Sequence, residues 1–259
     1  MGYVTMGMAL IPLLGPMVGG ALDEAFGWRA SFVLLLAAGL GILALVALDQ
    51  GETGRARAGE GLAAQLRRYP LLMRSRVFWG YTLCAAFGSG AFFALLGGAA
   101  FVAGRLFGLS PIWTGVALGA PAVGYMAGNF LSGRFSVRVG IDRMAWIGCA
   151  VATGGLVLSL VLTLGGATGP WVFFGFCVFL GLGNGLMLPN ALAGSVSVRP
   201  ELAGTASGLS GSIMTAGGAA LSVLAAAVLS VESGPWPLQA IMAASSALAG
   251  VSLLLVRGR

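Results

Sequence analysis

The side chains that could perform acid–base chemistry are few, and they lie outside the long apolar runs of this sequence. The chain has 259 residues with eight acidic side chains and no histidine, and all 14 of its basic residues are arginine. Because each acid stands in a polar segment or at the edge of an apolar run, no buried carboxylate pair is available for metal binding or phosphoryl transfer. The acidic residues are Asp23, Glu24, Asp49, Glu52, Glu60, Asp142, Glu201 and Glu232.

Two short patterns imitate catalytic or nucleotide-binding motifs. The tetrapeptide G-L-S-G at 208–211 fits an intramembrane serine protease, but such a serine needs a histidine base. The G-x-G-x-G spacing at 181–185 lacks the preceding strand and the acid about 20 residues further on that a dinucleotide fingerprint requires. Cys84, Cys149 and Cys177 lie in apolar stretches without C-x-x-C spacing, which favours packing over a disulfide framework or a zinc site. We therefore expect no enzyme, no cofactor and no metal site.

The composition indicates a membrane protein. Hydrophobic residues make up 58% of the chain and charged residues 8%, whereas a typical soluble domain is about 25% charged. Apolar runs long enough to cross about 30 Å of hydrocarbon recur from end to end. We predict an all-α polytopic membrane protein with eight transmembrane helices, at 3–22, 28–48, 78–102, 112–132, 144–164, 171–193, 205–231 and 237–256.

The arginines predict the orientation of these helices. Twelve of the 14 arginines fall between spans two and three, between spans four and five, after span six, or at the C-terminus. Only Arg29 and Arg105 fall on the other side. Because basic residues favour the cytoplasmic side of a membrane, both termini should be cytoplasmic and the 165–170 turn external. The same distribution accounts for the net charge of +6 without a nucleic-acid partner.

The longest polar segment joins spans two and three at 49–77. Its first part is Gly-rich and charged, as flexible linkers are. Its second part, LAAQLRRYPLLMRSRVF, predicts either a short amphipathic helix on the inner leaflet that ends near Pro70, or a charged tether without a helix.

The first apolar span contains glycines and prolines that a soluble helix would not tolerate well. In the stretch GMALIPLLGPMVGG at 7–20, each glycine would cost roughly 1 kcal/mol and each proline about 3 kcal/mol in a soluble helix. Membrane helices tolerate them because neighbouring helices satisfy the freed backbone groups. Gly15 and Gly19 form a G-x-x-x-G face, which lets another helix backbone approach closely.

The same stretch carries a more specific pattern, G-x7-GP-x2-GG, formed by Gly7, Gly15, Pro16, Gly19 and Gly20. It resembles the fifth-helix antiporter motif of proton-coupled drug exporters in the major facilitator superfamily. The GWRASF that follows resembles the Bcr/CflA drug-resistance branch of that family.

A second resemblance lies at 128–143, GNFLSGRFSVRVGIDR. It is similar to the cytoplasmic loop motif between the second and third helices of each major facilitator half, although the acid before the first arginine is absent. Arg134 or Arg138 could pair with a carboxylate or a helix C-terminus to hold one conformation, or the arginines could serve only as topology anchors. The matching residues are Gly133, Arg134, Arg138, Gly140, Asp142 and Arg143.

Aromatic and polar side chains inside apolar spans are candidates to line a substrate cavity. Aromatic rings suit flat apolar drugs and cations, and a polar group in a membrane helix needs a partner. The alternatives are lipid-facing or packed aromatic rings, and hydrogen bonds between helices that touch no substrate. The candidates are Phe87, Phe92, Phe93, Asn129, Asn184, Asn190, Ser210 and Met214.

The resemblance implies helices 5–12 of the major facilitator fold. Residues 1–48 would supply the last two helices of the N-terminal half, 49–77 the cytoplasmic central loop, and 78–259 the complete C-terminal half. The first four helices would be missing, and no basic residue precedes the first span, which suggests that the chain begins inside a longer protein.

The implied function is proton-coupled export of small apolar or cationic drugs across the bacterial inner membrane. Its partners would be drug, protons, the lipid bilayer and the missing N-terminal helices. The alternative is a truncated membrane fragment that does not transport and acts at most as an interaction partner. Because no span contains an acid, a histidine or a lysine, we expect these 259 residues alone not to perform coupled export.

Overall fold

A computed structural model describes residues 15, 18, 19, 22, 25–49 and 69–256, except for the side chains of 111 and 112. These residues form helices and turns, with no strand among them, which confirms the all-α fold. The helices with described bounds are α1 Arg29–Asp49, α2 Tyr69–Met73, α3 Arg76–Phe101, α4 Pro111–Val139, α5 Ile141–Leu164, α6 Cys177–Ser197, α7 Ala203–Val228 and α8 Trp236–Ser252.

Short 3₁₀- or π-helical segments extend several of these helices. When these segments are included in the helix lengths, six helices of the described chain are long and apolar enough to cross a membrane, namely α1, α3, α5, α6, α7 and α8. The 29-residue α4 is also long enough but is less apolar. The extensions are π-helical at Val102–Leu106 and Trp171–Gly175, and 3₁₀-helical at Pro200–Leu202 and Leu253–Val256.

Predicted spans two to eight each coincide with one of these helices. The first predicted span, 3–22, lies outside the described residues apart from Gly15, Val18, Gly19 and Leu22, which are helical. Apolar runs are a local feature of a sequence, so the sequence alone could predict the positions of the helices that the structure describes.

Side-chain caps and proline place the starts of α3 and α4. The Ser75 hydroxyl accepts a hydrogen bond from the Phe78 backbone N–H at 3.3 Å, and Ser110 accepts one from the Trp113 N–H at 3.4 Å. Such caps satisfy N–H groups that have no partner in the first turn. Pro111 follows its cap directly, where the missing N–H costs nothing.

The stretch predicted as a cytoplasmic loop motif is mostly helical. α4 continues to Val139, beyond the predicted limit at 132, and α5 begins at Ile141, so that Gly140 alone forms the turn. Nothing between Arg134 and Val139 breaks a helix, since this segment has no glycine or proline. Gly140 has φ +91° and ψ +147°, a conformation almost restricted to glycine.

One short helix of the linker lies within the described residues. α2 covers Tyr69–Met73 and includes Pro70. The amphipathic helix predicted before Pro70 falls outside the described residues and stays a prediction, as does the alternative of a charged tether.

Helix α6 is central in the six-helix unit formed by α3–α8. It packs against α4, α5 and α3, while α3 also packs against α7 and α8. Two buried clusters fill the unit at different depths. One surrounds Leu95, Leu156 and Leu180, and the other surrounds Cys149 and Met187.

Helix α1 lies outside this packing. None of its residues is buried, and an added Cβ at Gly15 or Gly19 would meet no atom within 4 Å. The close helix approach predicted at Gly15 and Gly19 is not made with the described residues and stays a prediction. Lipid tails bury aliphatic side chains about as well as a neighbouring helix does. Helix α1 therefore gains little stability from packing against another helix unless that contact is very close or includes hydrogen bonds.

Candidate functional site

Glycines on α6 allow α4 to approach it closely. Gly181 and Gly185 face α4, where an added Cβ would overlap the carbonyl oxygens of Pro121 and Tyr125 respectively. These two glycines lie four residues apart, on one side of the helix. The backbones of α4 and α6 are thus in direct contact, with no side chains between them.

A third glycine of α6 faces the opposite neighbour, α5. An added Cβ at Gly183 would overlap the carbonyl oxygen of Gly148, and one at Gly148 would lie 2.5 Å from the carbonyl oxygen of Gly183. On the α4 side of α6, Gly124 and Gly128 of α4 lie in the same way against the α6 backbone. The G-x-G-x-G spacing at 181–185 therefore serves helix packing on two sides of α6.

Asn184 lies between these glycines and turns towards α3. Its side-chain nitrogen donates a hydrogen bond to the Gly88 carbonyl oxygen at 3.0 Å. Its side-chain oxygen has no hydrogen-bond partner among the residues that the structure describes, although Asn184 is only 4% exposed. A buried acceptor without a partner is costly, so this oxygen is available to a donor on a bound molecule.

Two further asparagines form local hydrogen bonds on α4 and α6. Asn190 donates to the Ser132 hydroxyl at 2.9 Å, and this bond joins α6 to α4. It also donates to the Leu186 carbonyl of its own helix at 2.6 Å. Asn129 donates to the Tyr125 carbonyl at 2.9 Å, and in the described part of the chain its own side-chain oxygen has no partner. Asn184 and Asn129 thus share one property, a buried acceptor that no described residue satisfies.

The other predicted cavity residues pack against the buried clusters or between helices. Phe87, Phe92 and Phe93 are half-buried, and Phe93 covers Gly218 of α7, since a Cβ added there would overlap the ring. Ser210 is fully buried and lies 2.9 Å from the hydroxyl of Thr82. Met214 packs at the edge of the buried cluster around Cys149. The structure thus brings Phe93 and Ser210 to the α3–α7 contact and the asparagines to α6 and α4.

The residues of the loop motif lie at the α4–α5 end of the unit. Gly133, Arg134, Arg138 and Arg143 are exposed. Neither Arg134 nor Arg138 forms an ion pair with an acidic side chain of the described chain. An ion pair of these arginines with a carboxylate is therefore not made among the described residues, and the latch stays a prediction.

Asp142 of the same motif does have a partner that the sequence did not reveal. It accepts a hydrogen bond from the Tyr81 hydroxyl and so links α5 to α3. The Tyr81 ring lies against Gly194 of α6, where an added Cβ would lie 2.5 Å from it. A tyrosine hydroxyl inside an apolar run signals that a partner is needed, but the sequence does not say which one.

The antiporter motif falls largely outside the described residues. Gly7, Pro16 and Gly20 belong to the segments that the structure leaves undescribed, and Gly15 and Gly19 are helical with open space beside them. The motif's place against the six-helix unit stays a prediction.

An open apolar groove of about 480 Å³ lies between the start of α4 and the segment that precedes α6. Its walls include Trp113, Val123, Trp171 and Phe174. None of the predicted cavity residues lines it. Among the described residues, no three histidine, cysteine, aspartate or glutamate side chains come together as metal ligands.

Comparison with known proteins places this arrangement in a family. Relatives include a bicyclomycin resistance protein homolog of Haemophilus influenzae, 29% identical over 91% of this chain and 59% of the relative. The multidrug resistance protein D of Escherichia coli is 26% identical over 86% of this chain and 56% of that protein. The multidrug transporter MdfA of Edwardsiella piscicida is 33% identical over 61% of this chain and 39% of that protein.

The chain thus spans little more than half the length of the first two of these relatives. The family model for the major facilitator superfamily matches residues 1–222. Because this match covers most of the sequence, the chain belongs to the major facilitator superfamily, a family of transporters and not of enzymes.

Proposed function

We propose that this chain is part of a proton-coupled exporter of small apolar or cationic compounds in the bacterial inner membrane. The names of its relatives, which include bicyclomycin and multidrug resistance, support drug export. The observation that carries the proposal is the buried carboxamide oxygen of Asn184, which has no hydrogen-bond partner among the described residues.

Unsatisfied acceptors favour substrates that carry hydrogen-bond donors or a positive charge. The oxygens of Asn184 and Asn129 can each accept a bond from an amine or an amide of the substrate, and such a bond removes the cost of leaving them bare. The half-buried rings of Phe87 and Phe92 on α3 would add apolar and cation–π contacts.

The proton would be carried by residues outside this sequence. The described acids Asp49, Asp142, Glu201 and Glu232 are all exposed and lie at helix ends or in a turn. A group that binds and releases a proton during transport must lie within the membrane. We therefore assign proton coupling to helices that pack against this chain, as the division into 1–48, 49–77 and 78–259 also implies.

Drug binding by the full chain in detergent micelles tests the site. Ethidium, which carries amino groups, should bind saturably, and Asn184→Ala should weaken binding about tenfold because a hydrogen bond to a charged group is lost. Ser195→Ala is the matched control, since Ser195 is also buried on α6 but its hydroxyl donates a hydrogen bond to the Leu192 carbonyl of the same helix. Absence of saturable binding, or equal binding by Asn184→Ala, contradicts the proposal.

Export is tested in everted membrane vesicles with an imposed pH gradient. Vesicles that contain only these 259 residues should show no gradient-dependent ethidium transport. Cells that express the gene with any in-frame upstream sequence should accumulate less ethidium until a protonophore is added. Gradient-dependent export by the chain alone would overturn the assignment of the proton, and Asp142 and Glu232 would then be the first residues to substitute.

A further inference from the structure

Three sulfur atoms from three different helices meet in the interior of the six-helix unit. The Cys84 sulfur of α3 lies 3.8 Å from the Cys149 sulfur of α5. The Cys149 sulfur lies 3.3 Å from the Met187 thioether of α6. All three residues are at most 3% exposed. We propose that Cys84, Cys149 and Met187 form a binding site for the monovalent soft cation Cu(I), independent of drug export.

The spacing of the sulfurs fits a shared metal ion. With metal–sulfur bonds of about 2.3 Å, the sulfurs of a trigonal site lie about 4.0 Å apart. The Cys84–Cys149 separation of 3.8 Å is close to this distance. The shorter Cys149–Met187 separation lengthens by rotation of the unbranched methionine side chain, which adapts easily.

The ligand chemistry selects the ion. Thiolate and thioether sulfurs bind Cu(I) in preference to hard cations, and Zn²⁺ sites use thiolate and imidazole but not methionine. Cu⁺ would bind Cys84 and Cys149 as thiolates, because the thiolate and not the thiol is the metal ligand, so two thiol protons leave and two copper–thiolate bonds form while the Met187 thioether binds as a neutral ligand. Copper stays monovalent throughout, and the occupied site carries one net negative charge.

The surroundings of the cluster provide room for the ligands. Gly88 makes space for the Met187 side chain, since a Cβ added at Gly88 would lie 2.9 Å from its sulfur.

The test is anaerobic titration of the purified full chain with Cu(I) in competition with a coloured Cu(I) chelator. We expect one copper per chain and the release of two protons per copper, one from each cysteine. Cys84→Ser and Cys149→Ser should each lower the affinity at least about tenfold, since even outer-shell partners of metal ligands have effects of that size. Met187→Leu should lower it less.

Cys177→Ser is the matched control, because Cys177 is equally buried but belongs to the other cluster and donates to the Phe173 carbonyl. This variant should bind copper like the unsubstituted chain. Loss of binding in Cys177→Ser, retained binding in a Cys84→Ser/Cys149→Ser double variant, or no binding by the unsubstituted chain overturns the proposal.

X-ray absorption on the copper-loaded, unsubstituted chain does not depend on any variant folding. Copper in the unsubstituted chain should have three sulfur neighbours at about 2.3 Å, a distance typical of metal–thiolate bonds. Copper in Met187→Leu should have two sulfur neighbours. Nitrogen or oxygen neighbours in place of sulfur would overturn the site.

Discussion

Individual glycines in this protein differ in what surrounds them, even on the same helix. Gly148 of α5 lies against the Gly183 backbone of α6, whereas Gly154, less than two turns further along α5, has no atom within 4 Å of an added Cβ. The type of residue is the same, but only the first position needs the absence of a side chain. This difference gives a direct test of the packing.

Gly148→Ala should destabilise the protein by about 1–3 kcal/mol, because the new methyl group must push α5 and α6 apart. Gly154→Ala should be neutral or should stabilise by up to about 1 kcal/mol, as alanine favours helix. Thermal unfolding of both variants in the same detergent measures the difference. Equal midpoints would show that α5 and α6 are not in backbone contact.

A second residue-scale prediction concerns the hydrogen bond between Tyr81 and Asp142. Tyr81→Phe should reduce the free energy of unfolding by about 0.5–1.5 kcal/mol, the usual net value of a hydrogen bond. Tyr125→Phe is the control, since no hydrogen bond of the Tyr125 hydroxyl is found in the described chain. A larger loss in Tyr125→Phe than in Tyr81→Phe would contradict this link between α3 and α5.

At the scale of elements, the end of α4 depends on one backbone conformation. Gly140 joins α4 to α5 as a one-residue turn with φ +91°. Because a residue with a Cβ is strained there, Gly140→Ala should cost about 1–3 kcal/mol. Gly115→Ala, in the same helix with open space around it, should cost nothing. Chemical denaturation of the two variants compares these costs, and equal stability would argue for a different turn.

Helix α6 shows how one element organises the unit. Its glycines at 181 and 185 admit α4, Gly183 admits α5, and Asn184 bonds to α3. A helix with larger residues at these positions would keep its neighbours further away. The asparagine could then no longer reach the Gly88 carbonyl, so close packing and the candidate site depend on each other.

For the whole molecule, the testable property is its orientation in the membrane. Trp28, Trp113, Trp171 and Trp236 are exposed near the starts of α1, α4, α6 and α8, at the ends predicted to be external. Tryptophan favours membrane interfaces. An alkaline phosphatase fused near Gly166 should be active and one fused after Arg259 inactive, since this enzyme needs an external location. The reverse activities would invert the proposed topology.

The sequence by itself determined the family, the all-helical class and the positions of the helices that can be compared. Apolar runs, their arginine-rich flanks and the glycine–proline pattern are local features of the chain, so they can be read without knowing which helices meet. Caps at Ser75 and Ser110 refine the helix starts by the same local chemistry. The continuation of α4 through Arg134 and Arg138 was missed, because span length was judged by apolarity alone.

Only the tertiary structure decided which residues meet across helices. Asn184 with Gly88, Tyr81 with Asp142, and the sulfurs of Cys84, Cys149 and Met187 are each separated by dozens of residues in sequence. Several helices with apolar surfaces on all sides can pair in many ways at similar energy, because lipid covers each face equally well. The choice among pairings depends on close backbone approach and buried hydrogen bonds, and these exist only after the helices have packed.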